Sequence, residues 1–474
     1  MKIVIVACIL ADFSLQASGQ ATSSVTQTID TAIVPARAQQ NQFYRSVPSG
    51  EVTGSPLSLS LQDAIARGVK NNLGVLTLDT GARLSRADRI GALSALLPQV
   101  TAMISETAQQ FNFAAFGFQI PGIPPVVGPF EYTQAQASAS QSLFNWTAIK
   151  NHQTTIQNER AATLSLQDGR DVVVQVVAAE YFKIAADYAR LEATRTQLST
   201  AQTLYEHARE QHRAGTSPAI DEFRAQVQLK TRQSDLIARI NQRDKDKLTL
   251  ARVIGLPSGQ TFELAETVPY VPMEGITLQN SLDLAYKTRA DYQSALMQIR
   301  AAESAVSAAG GERYPTLQVD GSYGAVGRNP EHVHGTFIAN ASVRFNISDA
   351  GRSRADIDRA NALLKNRKDQ LADLQGQIDY DVRTALLDLQ TASEQVAVAQ
   401  ENLNFSIETL SQAQTRFLAG VVDNIEVVQA QDSVAAANAT LISAILAHNL
   451  MKVSLARAIG RTELTLIEFM KRKS

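Results

Sequence analysis

The stretch Phe337-Ile338-Ala339-Asn340-Ala341-Ser342-Val343-Arg344-Phe345-Asn346-Ile347 reads with a period of two. Phe337, Ala339, Ala341, Val343, Phe345 and Ile347 share one face, and Ile338, Asn340, Ser342, Arg344 and Asn346 share the other. About ten residues with one apolar and one polar face suit a strand that has lipid on one side and water on the other. The competing reading is a half-buried hairpin of a soluble protein. Just upstream, Leu317, Val319, Gly321, Tyr323 and Ala325 alternate in the same way. In the first half of the chain, Val100 to Gln109 and Tyr132 to Leu143 carry a weaker version, blurred by small residues. Pro98 and Pro315 precede the two pairs, and each ends a helical pattern, because proline lacks the amide donor and disfavours helix in the residue before it.

Outward from these strands the period becomes helical. Leu59 to about Leu96 places Leu61, Ile65, Val69, Leu73 and Leu76 at three- and four-residue steps. Trp146 to about Arg213 and Arg352 to about Leu418 are long runs without proline. At 1.5 Å per residue each predicts a helix of roughly 100 Å. In the second, Leu371, Leu374, Ile378, Val382, Leu386, Leu389, Val396, Ala399, Leu403, Ile407 and Leu410 recur at three, four or seven, which is a coiled-coil-like seam. Each run stops at an Ala-Gly step, where glycine accepts a left-handed cap. Returning helices follow, over about Ser217 to Ile254 and about Asn424 to Ile459.

The chain is an internal duplication. Leu59-Ser60-Leu61-Gln62-Asp63-Ala64 corresponds to Ile276-Thr277-Leu278-Gln279-Asn280-Ser281, and Leu97-Pro98-Gln99-Val100 to Tyr314-Pro315-Thr316-Leu317, at an offset of 217 (278 minus 61). Arg213-Ala214-Gly215-Thr216 corresponds to Leu418-Ala419-Gly420-Val421 at 205 (418 minus 213), and Leu250 to Gly255 matches Leu455 to Gly460. The shorter offset follows mainly from unequal strand-joining loops, Phe113 to Glu131 against Arg328 to Gly335. His332 and His334 in the shorter loop have no carboxylate or thiol partner in sequence and read as solvated loop residues. The expected organisation is a leader over 1–21, an extended segment over 22–56, a first repeat over 57–258, a linker over 259–275, a second repeat over 276–461 and a tail over 462–474.

The fold expected is mainly α with a pair of β-hairpins: duplicated long helical hairpins plus four membrane strands per chain. Four strands leave open edges with unsatisfied backbone groups, which lipid does not tolerate. Closure by oligomerisation follows, and three copies supply a barrel of twelve strands.

Met1-Lys2 and the apolar run Ile3 to Ala11 read as a secretory leader with cleavage after Ala17 or Ala21. Cys8, the one cysteine, is either lost with it or lipidated. No later segment is expected to span a membrane as a helix. A net charge of −2 with 19% charged residues supplies no basic field for nucleic acid. The sequence holds no phosphate-binding glycine loop, no His-Glu-x-x-His, no Gly-x-Ser-x-Gly and no paired Glu-x-x-His, so neither enzyme activity nor a cofactor or metal is expected. A coiled-coil scaffold or adhesin stalk without a pore is the alternative, and the proline-bounded alternating segments speak against it.

From about Leu57 to Gly460 these landmarks resemble the TolC, or outer-membrane efflux protein, family. The resemblance rests on the Leu-Pro-Gln-Val before strand one, on Ser142-Leu143-Phe144-Asn145-Trp146, on Val343 to Arg352, and on the twin turns Gln211 to Glu222 and Arg416 to Glu426. It implies a homotrimer in the outer membrane of a Gram-negative bacterium with a large periplasmic part. It also implies a periplasmic adaptor, and an inner-membrane pump of the RND, ABC or MFS type. By the same resemblance Ala214, Gly215, Thr216, Ala419, Gly420 and Val421 are docking turns. The entrance is expected at Asp221, Glu222, Phe417, Val422, Asp423, Glu426 and Gln429, with Asp221 and Glu426 at acidic-ring positions. Val422 stands where relatives carry a basic locking residue, and Gln429 where a second acidic ring falls. The plainer readings are ordinary helical-hairpin turns and carboxylates that favour helix N-termini.

Overall fold

The structure, a computed structural model, describes residues 42–117, 121–265, 270–273, 275–329, 331–419, 421, 424–460 and 462–470. The leader and Cys8 therefore lie outside the described residues, as do Gly420, Val422 and Asp423. The elements run β1 Leu57–Leu59, α1 Leu61–Asn71, α2 Leu73–Ser94, β2 Gln99–Asn112, β3 Val126–Phe144, α3 Trp146–Arg213 and α4 Ala219–Ile254. The second half runs β4 Phe262–Leu264, α5 Leu278–Thr288, α6 Ala290–Gly310, β5 Thr316–Gly327, β6 Val333–Arg344, α7 Arg352–Leu418, α8 Asn424–Ile459 and α9 Thr462–Met470.

Strands β2, β3, β5 and β6 form one antiparallel sheet in that order, so β2 and β6 are its free edges. Cross-strand partners share a face. The register therefore aligns Val100, Ala102 and Ile104 with Ala139, Ala137 and Ala135, then with Gly321, Tyr323 and Ala325, then with Ala339, Phe337 and Gly335. The opposite face carries Thr101 and Ser105, Ser138, Gln136 and Gln134, Asp320 and Ser322, and Asn340 and Ser342. The apolar face is the convex, open one: Ile104 is 83% and Phe337 77% exposed. β3 begins at Val126, earlier than the sequence pattern suggests, and a register shift between Gln109 and Phe111 accommodates Phe111 against Phe130, ring centroids 5.9 Å apart.

The single helix expected over Leu59 to Leu96 is two. Asn72 takes extended geometry (φ −65, ψ 130) because its side chain bridges outward: Nδ2 donates to the Phe43 carbonyl at 2.7 Å and Oδ1 accepts from the Gly74 amide at 2.9 Å. Arg289 breaks α5 from α6 at the equivalent place (φ −63, ψ 120), 217 residues on, held by Asp291 at 2.7 Å and Asp381 at 3.0 Å. α4 starts two residues later than expected, with Pro218 as its cap.

Helices α3 and α7 run the length of the molecule. Near the sheet α3 packs against α2 and α6; further down it packs against α4 and α8. The α3–α6 contact repeats every seven residues through small side chains: Thr147 Oγ1 donates to Ala308 O at 3.1 Å, Thr154 Oγ1 to Ala301 O at 3.5 Å, and Ser294 Oγ to Ala161 O at 2.9 Å. Small residues at heptad spacing let two helices lie close along a long contact. Of the α7 seam read from sequence, Ile378, Val382, Leu389, Val396 and Ala399 are buried, whereas Ile407 points out and is 51% exposed.

At mid-length the two repeats lock together. β1 pairs in parallel with β4, and Leu59, Ile65, Val177, Tyr181, Phe182, Leu250, Ile254 and Phe262 form the largest core. Gly68 permits the close crossing of α1 over α3: a Cβ there would stand 2.6 Å from Val177. Helix α9 closes this belt, its first amide bonded to Asp171 at 3.0 Å. The expectation that no later helix is apolar enough to span a membrane is corrected: α8, over Ile425–Ile459, is so by length and composition. Its run from Ser433 to Met451 holds no Asp, Glu, Lys or Arg, because it packs alanine-rich faces between α3 and α7.

Candidate functional site at the hairpin tips

Both long hairpins end in the same turn. After α3, Ala214 is the cap, Gly215 is left-handed (φ +72), the Gly215 amide donates to His212 O at 3.0 Å and the Thr216 amide to Gln211 O at 2.9 Å. After α7, the Val421 amide donates to Arg416 O at 2.9 Å, the same six-to-one closure 205 residues on. This pattern satisfies the last helical carbonyls and requires positive φ at the glycine position. Ala214, Gly215, Thr216, Ala419 and Val421 are all exposed, and nothing lies within 4 Å of a Cβ built on Gly215.

Each turn is clasped by an ion pair that the sequence reading missed. His212 Nδ1 lies 2.6 Å from Glu222 Oε2, and Arg416 Nη1 lies 2.7 Å from Glu426 Oε1. The two pairs are equivalent at an offset of 204 (416 minus 212; 426 minus 222), so Glu222 is the structural counterpart of Glu426. Asp221 instead accepts from Ser217 Oγ at 2.9 Å and from Arg224 at 3.4 Å. The signal was present: a cation followed ten residues later by glutamate, once in each repeat.

Phe417 is half-buried against the cluster of Ala413, Val427 and Ala430, with Leu204 and Leu410 beside it. Gln429 is exposed and borders a groove of ≈ 490 Å³ between the first turns of α4 and α8. Ile220, Phe223 and Val227 form one wall and Ile425 and Val428 the other. Two to three turns above the tips, Asp432 ties the hairpins together: Gln228 Nε2 donates to it at 2.8 Å, and Arg232, which also meets Asp235 at 3.2 Å, forms an ion pair with it. The site thus combines exposed turns, an apolar groove and one polar tie, an arrangement for docking and for hinged separation of hairpins.

The family model for outer membrane efflux protein matches residues 80–256 and 281–461, following the two repeats. The chain is 23% identical over 429 residues to the antibiotic efflux pump outer membrane protein ArpC of Pseudomonas putida, covering 85% of this chain and 83% of that one. It is 23% identical over 322 residues to the cation efflux system protein CusC of Escherichia coli strain K12, covering 66% and 67%. Among solved structures, the Campylobacter jejuni CmeC outer membrane channel superposes with a TM-score of 0.72 at 14% identity, over 91% of this chain and 95% of that one. The chain belongs to the outer membrane efflux protein family and is an outer-membrane efflux channel with a long helical tunnel in the periplasm.

Proposed function

We propose that three copies of this chain close into one duct, a twelve-stranded barrel continuous with a helical tunnel, which exports substrates delivered by a periplasmic adaptor and an inner-membrane pump. The observation that carries this reading is that both layers of the protomer end in open flanks. In the barrel layer the flanks are the unpaired edges of β2 and β6, whose backbone groups must find partners within lipid. In the tunnel layer α4 and α7 are the outer helices. α7 exposes Tyr380, Leu387, Val398 and Phe405, at steps of seven and eleven and hence on one face, each at least 64% exposed. α4 exposes Val227, Ile237 and Leu248, each at least 66% exposed. Apolar stripes of this extent mark an interface with another chain. Packing α4 of one copy on α7 of the next covers both.

In this reading Ala214, Gly215, Thr216, Ala419, Gly420 and Val421 face the adaptor. The apolar groove beside them receives a helix of the partner, and the entrance lies between the α7–α8 tips. With Glu426 clasped by Arg416, gating rests on the Asp432 tie and on the apolar groove. Relatives are named for antibiotic, cation and pyoverdine export, so this duct's cargo is set by its pump. The test is reconstitution of the purified full-length protein in planar bilayers. Discrete conductance steps are expected, and a protein that enters bilayers without any step counts against the duct.

A further inference from the structure

Half-way along the first hairpin the α3–α4 seam buries two facing carboxyls. Asp187 on α3 is 6% exposed and Asp246 on α4 is 3% exposed. Asp246 accepts from Lys183 Nζ at 2.7 Å and from Gln242 Nε2 at 2.9 Å. Asp187 Oδ1 accepts from Arg190 Nη1 at 3.1 Å, while its Oδ2 is buried, meets no donor and faces the Asp246 carboxyl. Two ionised carboxylates are acceptors only, so their contact is repulsive. One shared proton turns it into a charge-assisted hydrogen bond.

The surrounding charges leave room for that proton. Glu180, Asp187 and Asp246 stand against Lys183 and Arg190, one negative charge in excess. On α4, Arg243 turns to Asp244 at 2.8 Å, and Lys247 reaches Glu263 of β4 at 2.9 Å, beside Tyr188. α8, packed on the other side of α3, contributes Ser443, bonded to Arg190 at 3.2 Å, and no charged residue between Asp432 and Lys452. Its His448 is held neutral by burial, its pKa pushed down to about 4. No other cation is bonded to either carboxyl among the described residues.

We propose that Asp187 and Asp246 form a proton-binding site in the α3–α4 seam. One proton bridges them in a mildly acidic periplasm, and its loss as the pH rises leaves two like charges in the seam and loosens the hairpin. Burial first, then the Asp246 carboxyl, push Asp187 up to about 6. Burial opposes ionisation of Asp246 too, but the bonds from Lys183, Gln242 and Asp187 outweigh it and hold that carboxyl below its usual range. The bridging proton therefore belongs to Asp187. Because Asp187 is raised above its ordinary 3.8, its stabilising contribution is complete below that value and is lost as the pH climbs through about 6.

The test is thermal unfolding of the full-length protein in detergent between about pH 4.5 and 8, for wild type and for Asp187→Asn. The asparagine donates to Asp246 at every pH. The variant is expected to lose the wild type's fall in midpoint near pH 6 and to melt a few degrees above it at pH 7.5. Curves that stay parallel across the range overturn the proposal. Asp246→Asn removes the same titration step from the other side and serves if Asp187→Asn does not assemble. A pH step that survives in that variant overturns the proposal equally.

Discussion

The belt at mid-length and the seam at the tips are built on the same two long helices, α3 and α7, yet they are packed in opposite ways. In the belt, Tyr181, Phe182, Leu59, Ile254 and Phe262 interdigitate almost without exposure, and Tyr181 also donates to the Leu59 carbonyl at 3.2 Å. Two arginines fasten its rim: Arg457 to Asp168 at 2.6 Å, and Arg289 to Asp291 and Asp381. At the tips the only large side chains between the hairpins face an open groove. Above them lie cavities of ≈ 150 and ≈ 340 Å³ bridged by the Asp432 tie. Dense packing makes the belt a fixed collar, whereas a poorly filled seam costs little to open. A helix 68 residues long can then move at its lower end while its middle stays in place.

The largest expected effect of breaking that contrast lies in the belt. Tyr181→Ala removes a fully buried ring and its hydrogen bond, with an expected loss of about 3–5 kcal/mol. The check is the thermal midpoint of the purified protein, and a midpoint like wild type's would mean the collar is not where stability resides. An intermediate effect is expected at the seam. Asp432→Ala cuts the tie between hairpins at an exposed site, so stability should change by no more than about 1 kcal/mol. Mean open conductance should nevertheless rise. Unchanged conductance would place the moving joint elsewhere. The smallest effect is expected for Glu426→Ala, which frees Arg416 at one exposed clasp and should shift cation selectivity only slightly. A large loss of cation selectivity would mean that Glu426 forms a charged ring despite its bond to Arg416.

The belt and the tips also differ in how far they could be read from sequence. The bounds of α3 and α7 were legible to the residue, because prolines, glycine caps and an unbroken heptad pattern are local signals. The strands were legible because an alternating face needs no tertiary context. The breaks at Asn72 and Arg289 were not, since neither residue is a helix breaker by itself; the bonds to Phe43 and to Asp381 hold them extended. The carboxyl pair Asp187–Asp246 was equally hidden, being made by side chains 59 positions apart (246 minus 187) on two returning helices. At the tips the turns were visible, but Asp221 was matched to Glu426 where the equivalent residue is Glu222. Motif spacing aligned the glycines, and only the bond from His212 distinguishes the two neighbouring acids.

All of this rests on the protomer being one third of a closed duct, with β2 and α4 of each copy against β6 and α7 of the next. Native mass measurement of the detergent-solubilised, full-length protein tests that most directly. The account predicts a single species of three chains; a species of one or two chains that still conducts in bilayers would contradict it.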